Sequence, residues 1–242
     1  MKNSLIPLAC TALLLALPAR AQEASEPADR NSLSIITTED PTFPLPLLNS
    51  AVINGDAKVA IDVDEKGQLT DWIVTGYSRK EFADSAVEVI KRWKYLPPLV
   101  NGQPWASVRE LCFDYSRSGV VVNFTGIEAM DNRIEELMKG SRVFRTYALR
   151  DLDRIPNPIH VVSPLSPASD PANRASHTVT VDFFIDEQGR VRLPSVSRAE
   201  VGSQYAASAL AAVRQWRFDP PLVKGRPVVV LVSQLFKFVP GN

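Results

Sequence analysis

The sequence predicts an α+β protein made of two tandem two-layer domains, each a three-stranded antiparallel sheet packed by one or two helices. The prediction depends first on a repeat: WKYLPPLVNGQP at 93–104 returns as WRFDPPLVKGRP at 216–227, with seven of twelve letters kept at an offset of 123. It depends also on an alternating strand pattern before each copy and on an amphipathic helical stripe that leads into it. With 242 residues, either half is long enough to bury a core of its own.

Each domain is predicted to begin with a β-hairpin. Val59, Ile61 and Val63 alternate with small or polar residues, which is the period of a half-buried strand. The turn DEKG at 64–67 follows, in which the Asp can bond to its own backbone and the Gly supplies a positive φ. The second domain repeats this turn as DEQG at 186–189.

A helix is predicted after each hairpin. In the first domain Ser78 and Glu81 fit a capping box at the helix start, and the two prolines at 97–98 end the helix because they cannot donate a backbone hydrogen bond. Apolar residues recur between them at helical spacing, and the same stripe returns 123 residues later. These patterns select six structural core residues, namely Phe82, Trp93, Pro98, Tyr205, Trp216 and Pro221. A ligand platform is the alternative for the two tryptophans.

The predicted organisation has five parts. They are a signal peptide at 1–21, a flexible lead-in at 22–39, a first domain at 40–117, a linker with a helix at 118–150 and a second domain at 151–242. The signal peptide is predicted because one Lys precedes an apolar run that leads to the small-x-small triplet Ala19-Arg20-Ala21. The run is shorter than the ~20 residues needed to cross hydrocarbon, so we expect cleavage and export. An uncleaved anchor is the alternative.

Composition and side-chain chemistry argue against several classes of function. The formal net charge is +0 without a basic stripe, so no nucleic-acid partner is predicted. His160 and His177 are the only histidines and are interpreted as surface or loop residues. Because no metal cluster, nucleophile set or phosphate loop can be assembled, we predict neither an enzyme nor a cofactor. Cys112 is interpreted as a small core hydrophobe rather than a reactive thiol, because its repeat equivalent is Leu235.

Taken together, these residues resemble the C-terminal domain of TonB, the energy transducer of the Gram-negative envelope. The matching pattern is a Pro-x-aromatic-Pro entry at 41–44, a strand, the Asp-x-x-Gly turn, a second strand, a helix ending in Trp, prolines, Gly-x-Pro and a last strand with alternate aromatics. The second copy matches better, except that Ser166 stands where the entry aromatic is expected.

The resemblance implies a non-enzymatic periplasmic module that binds a protein partner or an extended peptide segment by β-strand addition. It implies a TonB-box-like segment and a link to energy-dependent outer-membrane transport. The binding edge is expected on the strand after Gly-x-Pro, at 105–115 and 227–238. The partner-binding residues expected there are Val108, Glu110, Cys112, Asp114, Val230, Val232, Gln234 and Phe236. The sequence leaves open the oligomeric state and whether one or both domains bind.

Two other functions stay open at this point. The first is a structural envelope scaffold whose repeats pack back to back with their sheet edges covered. The second is an anchored TonB-type energy transducer at the inner membrane, which requires that the N-terminal segment is not cleaved. The long Pro-rich charged spacer of TonB is not visible in this sequence, which argues against the transducer.

Overall fold

The computed structural model describes residues 32–37, 39–100, 102–125, 142–166, 176–198 and 204–239. The predicted signal peptide, most of the predicted lead-in and the predicted linker helix lie outside these ranges. Among the helices of the described ranges, none has the length and apolar character required to span a membrane.

The strands and helices are as follows. The first repeat forms β1 (Ser34–Thr37), α1 (Leu45–Leu48), β2 (Asn54–Val63), β3 (Leu69–Tyr77), α2 (Lys80–Ile90), β4 (Lys94–Leu96), β5 (Leu99–Val100), β6 (Gln103–Pro104), β7 (Ser107–Ser116) and β8 (Gly119–Thr125). The connection and the second repeat form β9 (Phe144–Arg145), β10 (Tyr147–Ala148), a 3-10 turn at Leu149–Asp151, β11 (Pro158–His160), β12 (His177–Ile185), β13 (Val191–Arg198), α3 (Gln204–Val213), β14 (Arg217–Phe218), β15 (Leu222–Val223), β16 (Arg226–Pro227) and β17 (Val230–Phe238).

Each repeat is a sheet with a helix on one face, which confirms the predicted α+β class. The first sheet has the order β8-β7-β2-β3-β9 and the second has the order β10-β17-β12-β13. The three expected antiparallel strands form the centre of the first sheet, as β7-β2-β3, and most of the second, as β17-β12-β13. The strands β8, β9 and β10 are additions, and they come from the segment that the sequence predicted to be a linker.

The hairpin turns fold as the sequence predicts. Asp64 Oδ1 accepts hydrogen bonds from the backbone N–H of Lys66 at 2.9 Å and of Gln68 at 2.8 Å. Gly67 has a φ of 77°. Asp186 repeats the pattern, accepting from the backbone two and four residues further on at 3.0 and 2.9 Å. The two Asp residues are therefore turn-forming residues, as predicted, and hold the hairpins closed.

The start of α2 differs from the predicted capping box. Arg79 is the N-cap residue, and it makes no side-chain capping bond. Ser78 Oγ instead accepts a hydrogen bond from the backbone N–H of Asp56 at 2.8 Å. A short hydroxyl side chain can bond to any backbone N–H within reach, and here the neighbouring strand β2 offers one. The serine therefore ties the entry of the helix to the sheet.

Both tryptophans end their helical stripes inside the core of a repeat. Trp93 is 6% exposed and Trp216 is 7% exposed. The Trp93 Nε1–H donates to the carbonyl of Glu39 at 2.9 Å, and the Trp216 Nε1–H donates to the carbonyl of Val162 at 2.8 Å. The two acceptors are separated by the same offset of 123 residues as the two donors. Each indole therefore fixes the segment that enters its repeat, in addition to filling the core.

Four other residues were predicted to belong to the core. Phe82 is fully buried, and Pro98 and Pro221 are buried. The two proline carbonyls accept equivalent backbone bonds, at 2.9 Å in the first repeat and 3.0 Å in the second. Tyr205 is only half-buried, and it lies at the rim of the second core.

Part of the predicted flexible lead-in is ordered as a strand. β1 pairs with β4 through Ile35 and Tyr95, and in the second repeat β11 pairs with β14 through Pro158 and Phe218. Each entering segment therefore adds a short strand to the chain that follows its helix, and the indole bond described above lies beside it.

The two sheets pack against each other through the faces opposite their helices. One buried apolar cluster joins them, composed of Ala60, Ile73 and Val108 from the first sheet and Phe184, Leu193 and Val229 from the second. The described chain thus has four layers in the order helix, sheet, sheet, helix. The two repeats therefore share this buried cluster and do not pack independently of each other.

An ion pair orients the two repeats at this interface. The Arg192 Nε–H donates to Asp71 Oδ2 at 2.8 Å, and its Nη2–H donates to Asp71 Oδ1 and, at 2.9 Å, to the carbonyl of Trp72. A bidentate contact of this kind fixes the relative orientation of its two partners. Both side chains keep part of their surface in water, so the pair contributes more to orientation than to stability.

Asp62 gives the interface a predictable dependence on pH. Burial raises the pKa of Asp62 above its ordinary value of 3.8; the carboxylates of Asp71 and Asp64 act in the same direction, against the Thr70 hydroxyl and Arg214. The folded protein therefore holds the Asp62 proton more tightly than the unfolded chain. The stability that this provides is complete below pH 3.8 and is lost as the pH rises through the raised folded pKa.

Asp62→Asn is therefore expected to raise the urea unfolding midpoint at pH 7 and to leave it nearly unchanged near pH 3. Asparagine resembles the protonated carboxyl at every pH, so it removes the cost of burying the charge. Urea titrations of both proteins at the two pH values check this, with exposed Glu65→Gln from the same hairpin as the control. An equal shift at both pH values would show that ionisation of Asp62 is not the cause.

Candidate protein-interaction edge

Within the described residues, β17 forms a long side of the second sheet that is only partly covered. β17 pairs along its whole length with β12, from Val230 opposite Ile185 to Phe238 opposite His177. On its other side the parallel strand β10 pairs only with Val230 and Leu231. Within the described residues, nothing else pairs with this side of β17, so the strand presents an open edge from about residue 232 onward.

The backbone groups that face this open side can be identified. The Tyr147 N–H donates to the carbonyl of Val229 at 2.9 Å, so Val229 directs its carbonyl away from β12. Main-chain groups alternate sides along a regular strand, and the pairing of β17 with β12 has no bulge. Ser233, Leu235 and Lys237 therefore direct their N–H and C=O groups outward. They form an edge that has no strand partner within the described residues, and its Leu235 carbonyl accepts a hydrogen bond from Gln234 Nε2 at 2.9 Å.

This assignment changes the residues that the sequence selected on β17. The four residues expected there alternate with the outward set and direct their main-chain groups to β12. They are Val230, Val232, Gln234 and Phe236. Their side chains point to the α3 face, where Val230, Val232 and Phe236 contribute to the second core. The sequence carries no signal for this choice, because only a neighbouring strand shows which alternate set is paired.

The equivalent strand in the first repeat is not an edge, which corrects the expectation for 105–115. A two-residue turn returns the chain after Ser116, and β8 pairs antiparallel with β7 from Ser116 opposite Gly119 to Glu110 opposite Thr125. Of the residues expected there, Glu110, Cys112 and Asp114 lie in this pairing, and Val108 belongs to the interface between the sheets. The first repeat therefore fills with its own chain the position that stays open in the second.

Glu110 and Cys112 lie on β7 between two neighbouring strands, β2 and β8. Glu110 is buried, accepts a hydrogen bond from the Thr75 hydroxyl at 2.6 Å and lies 3.7 Å from Lys58 Nζ. Cys112 is half-buried on the same face of the sheet as these groups, opposite α2, and not in the core beneath the helix where it was expected. A residue on this face packs between polar neighbours, which a comparison with Leu235 could not reveal.

The core residues beside the two edges differ in how deeply they are buried. Phe113 on β7 is completely buried, whereas its equivalent Phe236 on β17 is only half-buried. Val120 and Val122 of β8 pack against the first core and complete it. At the second edge Leu235 is 61% exposed. An added strand would cover apolar surface there, as β8 does in the first repeat.

Aromatic rings support the open edge from the helix side. The Trp216 and Phe236 ring centroids are 5.6 Å apart, and those of Tyr205 and Phe238 are 5.1 Å apart. His177 stacks on Tyr205 with a centroid distance of 4.2 Å. This histidine lies on β12 and is half-buried, so it is not the surface or loop residue that was expected. The packed rings hold the edge strand in a fixed position.

Along the described part of the chain, no group of three or more His, Cys, Asp or Glu side chains lies close enough together to hold a metal ion. His160 is exposed on β11.

The fold defines a tandem α+β protein in which each repeat is a sheet with a helix on one face. The family model described as the C-terminal domain of the Gram-negative bacterial TonB protein matches residues 46–116 and 167–240. The two matches cover more than half of the chain, so the protein belongs to this family and contains two of its domains in tandem. Domains of this family are non-catalytic protein-interaction modules. A search of curated proteins finds no match.

Proposed function

We propose that this protein is a non-enzymatic periplasmic module that binds an extended segment of a protein partner by strand addition to β17. The observation that carries the proposal is the outward-facing backbone of Ser233, Leu235 and Lys237, which has no strand partner within the described chain. An edge of this kind offers main-chain hydrogen bonds to a guest strand, and side chains on either side of the edge select the guest.

The geometry limits where and how the guest binds. β10 occupies Val230 and Leu231, so the guest pairs from about residue 232 to the end of β17 and is about seven residues long. An antiparallel guest would repeat the arrangement of β8 on β7. Alternate guest side chains would contact Phe236 on the helix side and Leu235 with Val239 on the other, and the last two are each 61% exposed.

Family membership favours a particular partner. We infer that the guest is a TonB-box-like segment of a protein in energy-dependent outer-membrane transport. The first repeat, whose equivalent edge is filled by β8, would serve in this scheme as the support on which the second is mounted. One guest segment per chain is therefore expected.

Leu235→Pro is expected to weaken binding of TonB-box-like heptapeptides at least about tenfold, since it removes an outward N–H and one main-chain bond to the guest. The Leu235 N–H is not used by β12, so proline is tolerated at this edge position. Leu235→Ala, which keeps the N–H, is the matched control and should bind more tightly than the proline variant. Amide chemical shifts of the wild-type protein during peptide titration report the site.

The second candidate function is a structural scaffold. It is favoured by the packing of the two sheets against each other, by the pairing of β8 along β7, and by the short strands β9 and β10, which cover parts of β3 and β17. The same titration separates the two functions. Shift changes centred on 233–239 support strand addition, whereas peptides that leave these resonances unchanged at saturating concentration would favour the scaffold.

A further inference from the structure

Within the described residues, the outer edge of β8 is open, as are those of β17 and β13, and its composition is unusual. β8 reads GVVVNFT over 119–125 and contains neither a charged residue nor a proline. In the part of the chain that the structure describes, β7 is its only strand partner, and the pairing has no bulge. Soluble proteins usually protect an exposed edge with a Lys, a Pro or a bulge. β17 carries Lys237, whereas β8 has none of these. β8 also lies outside the family match at 46–116.

The hairpin that forms β8 determines which of its backbone groups face outward. Ser116 and Gly119 flank the two-residue turn, and in such a hairpin the closing pair is hydrogen-bonded. Gly119 therefore directs its backbone to β7, and so do alternate residues after it. Val120, Val122 and Phe124 direct their N–H and C=O groups to the open side.

Exposed apolar side chains lie on both faces of this edge. Val121 is 60% exposed on the face opposite α2, and Phe124 is 42% exposed on the helix face. A strand that paired with β8 would cover both side chains, which are exposed in the single chain.

We propose that β8 pairs with β8 of a second copy of this chain, antiparallel and about a twofold axis through Val122. In this register Val122 faces its own copy, Val120 faces Phe124, and Val121 faces Asn123. The register brings the outward-facing residues of one copy opposite those of the other. It pairs an aromatic with a β-branched residue at two symmetric positions, which is a favourable cross-strand combination.

The partner is a second copy because the segment is complementary to itself. It carries no charge that would repel an identical strand, and reversal about Val122 leaves the outward-facing apolar residues Val120, Val122 and Phe124 opposite one another. An edge of seven residues buries less surface than the ~1,200 Å² at the lower end of typical specific interfaces. The dimer is therefore a weak, reversible one that joins two first sheets into one. It does not depend on strand addition at β17.

Sedimentation velocity over a wide range of concentrations tests the proposal. The wild-type protein should show an average mass that rises reversibly towards that of a dimer. Val122→Pro should remove this rise, because it deletes an outward N–H at a position where an edge strand tolerates proline. Val143→Lys is the control for loss of an exposed apolar side chain, since Val143 is 78% exposed next to β9 at the opposite edge of the sheet, and it should associate like the wild type.

Charge pairs test the register itself. A variant with Val121→Lys and Asn123→Lys, and one with Val121→Glu and Asn123→Glu, should each self-associate at least about tenfold more weakly, because like charges then face each other. An equimolar mixture should associate again as a heterodimer. Circular dichroism of each variant confirms the fold.

Three results would overturn the proposal. The first is a wild-type protein that remains monomeric at every concentration. The second is association that survives both Val122→Pro and the charged variants, and the third is a mixture that fails to restore it. Association abolished by Leu235→Pro but not by Val122→Pro would place the contact on β17 and would likewise refute it.

Discussion

Gly189→Ala is expected to destabilise the protein by more than ~3 kcal/mol. A Cβ at this position would lie 1.9 Å from the carbonyl oxygen of Phe218. That oxygen belongs to the main chain of β14, and the Phe218 N–H donates to the Gly189 carbonyl at 2.9 Å, so the two segments cannot easily separate. The residue also has a φ of 75°, which costs any other L-residue additional energy. Urea unfolding followed by circular dichroism measures the loss.

Two glycines serve as matched comparisons. Gly225→Ala is expected to cost only about 1 kcal/mol, because Gly225 has a φ of 72° but no atom within 4 Å of the added Cβ. Gly67→Ala should behave like Gly189→Ala, since its Cβ would lie 2.3 Å from the Tyr95 carbonyl oxygen. Equal costs at Gly189 and Gly225 would show that the contact with β14 is unimportant and that φ alone explains the effect.

The features that the sequence predicted correctly are local or repeated. The turns at Asp64 and Asp186 depend on bonds to backbone within four residues, so their chemistry is contained in the turn itself. The helical stripes and their terminal tryptophans could be predicted because the second repeat keeps the pattern while changing its residues, which identifies a packing face.

The added strands could not be predicted from the same kind of pattern. β8 shows three consecutive valines, so its sequence lacks the alternation of a half-buried strand, although in the structure Val120 and Val122 are half-buried and Val121 is exposed. β9 and β10 have two residues each and form only where β3 and β17 offer an unpaired edge. Strands of this length have no periodicity of their own, so their existence depends on tertiary contacts.

The contact between the two sheets is reflected in one feature of the sequence. Phe183 and Phe184 are consecutive, and a half-buried strand would place one of them in water. In the structure Phe183 lies in the second core and Phe184 lies in the cluster between the sheets. Consecutive large apolar residues in a strand indicate burial on both faces, which would have predicted that the second sheet is covered on both sides.

Trp216→Ala is expected to destabilise the protein by ~3–5 kcal/mol, as is usual for a large aromatic residue removed from a core. The indole contacts the rings of Phe183 and Phe236, with centroid distances of 6.1 and 5.6 Å, and bonds to the Val162 carbonyl. Trp216→Phe should cost less, because it keeps most of the ring packing and removes the hydrogen bond, which contributes about 1 kcal/mol. Trp93→Ala and Trp93→Phe provide the same comparison in the first repeat.

The shape of the unfolding curve distinguishes shared from independent repeats. Because Phe184, Leu193 and Val229 pack against the first sheet, loss of the second repeat would expose the apolar face of Ala60, Ile73 and Val108 to water. Trp216→Ala should therefore shift a single cooperative transition to lower urea concentration with little change in its slope. An early transition for the second repeat followed by an unshifted one for the first would show that the two repeats unfold separately despite their common cluster.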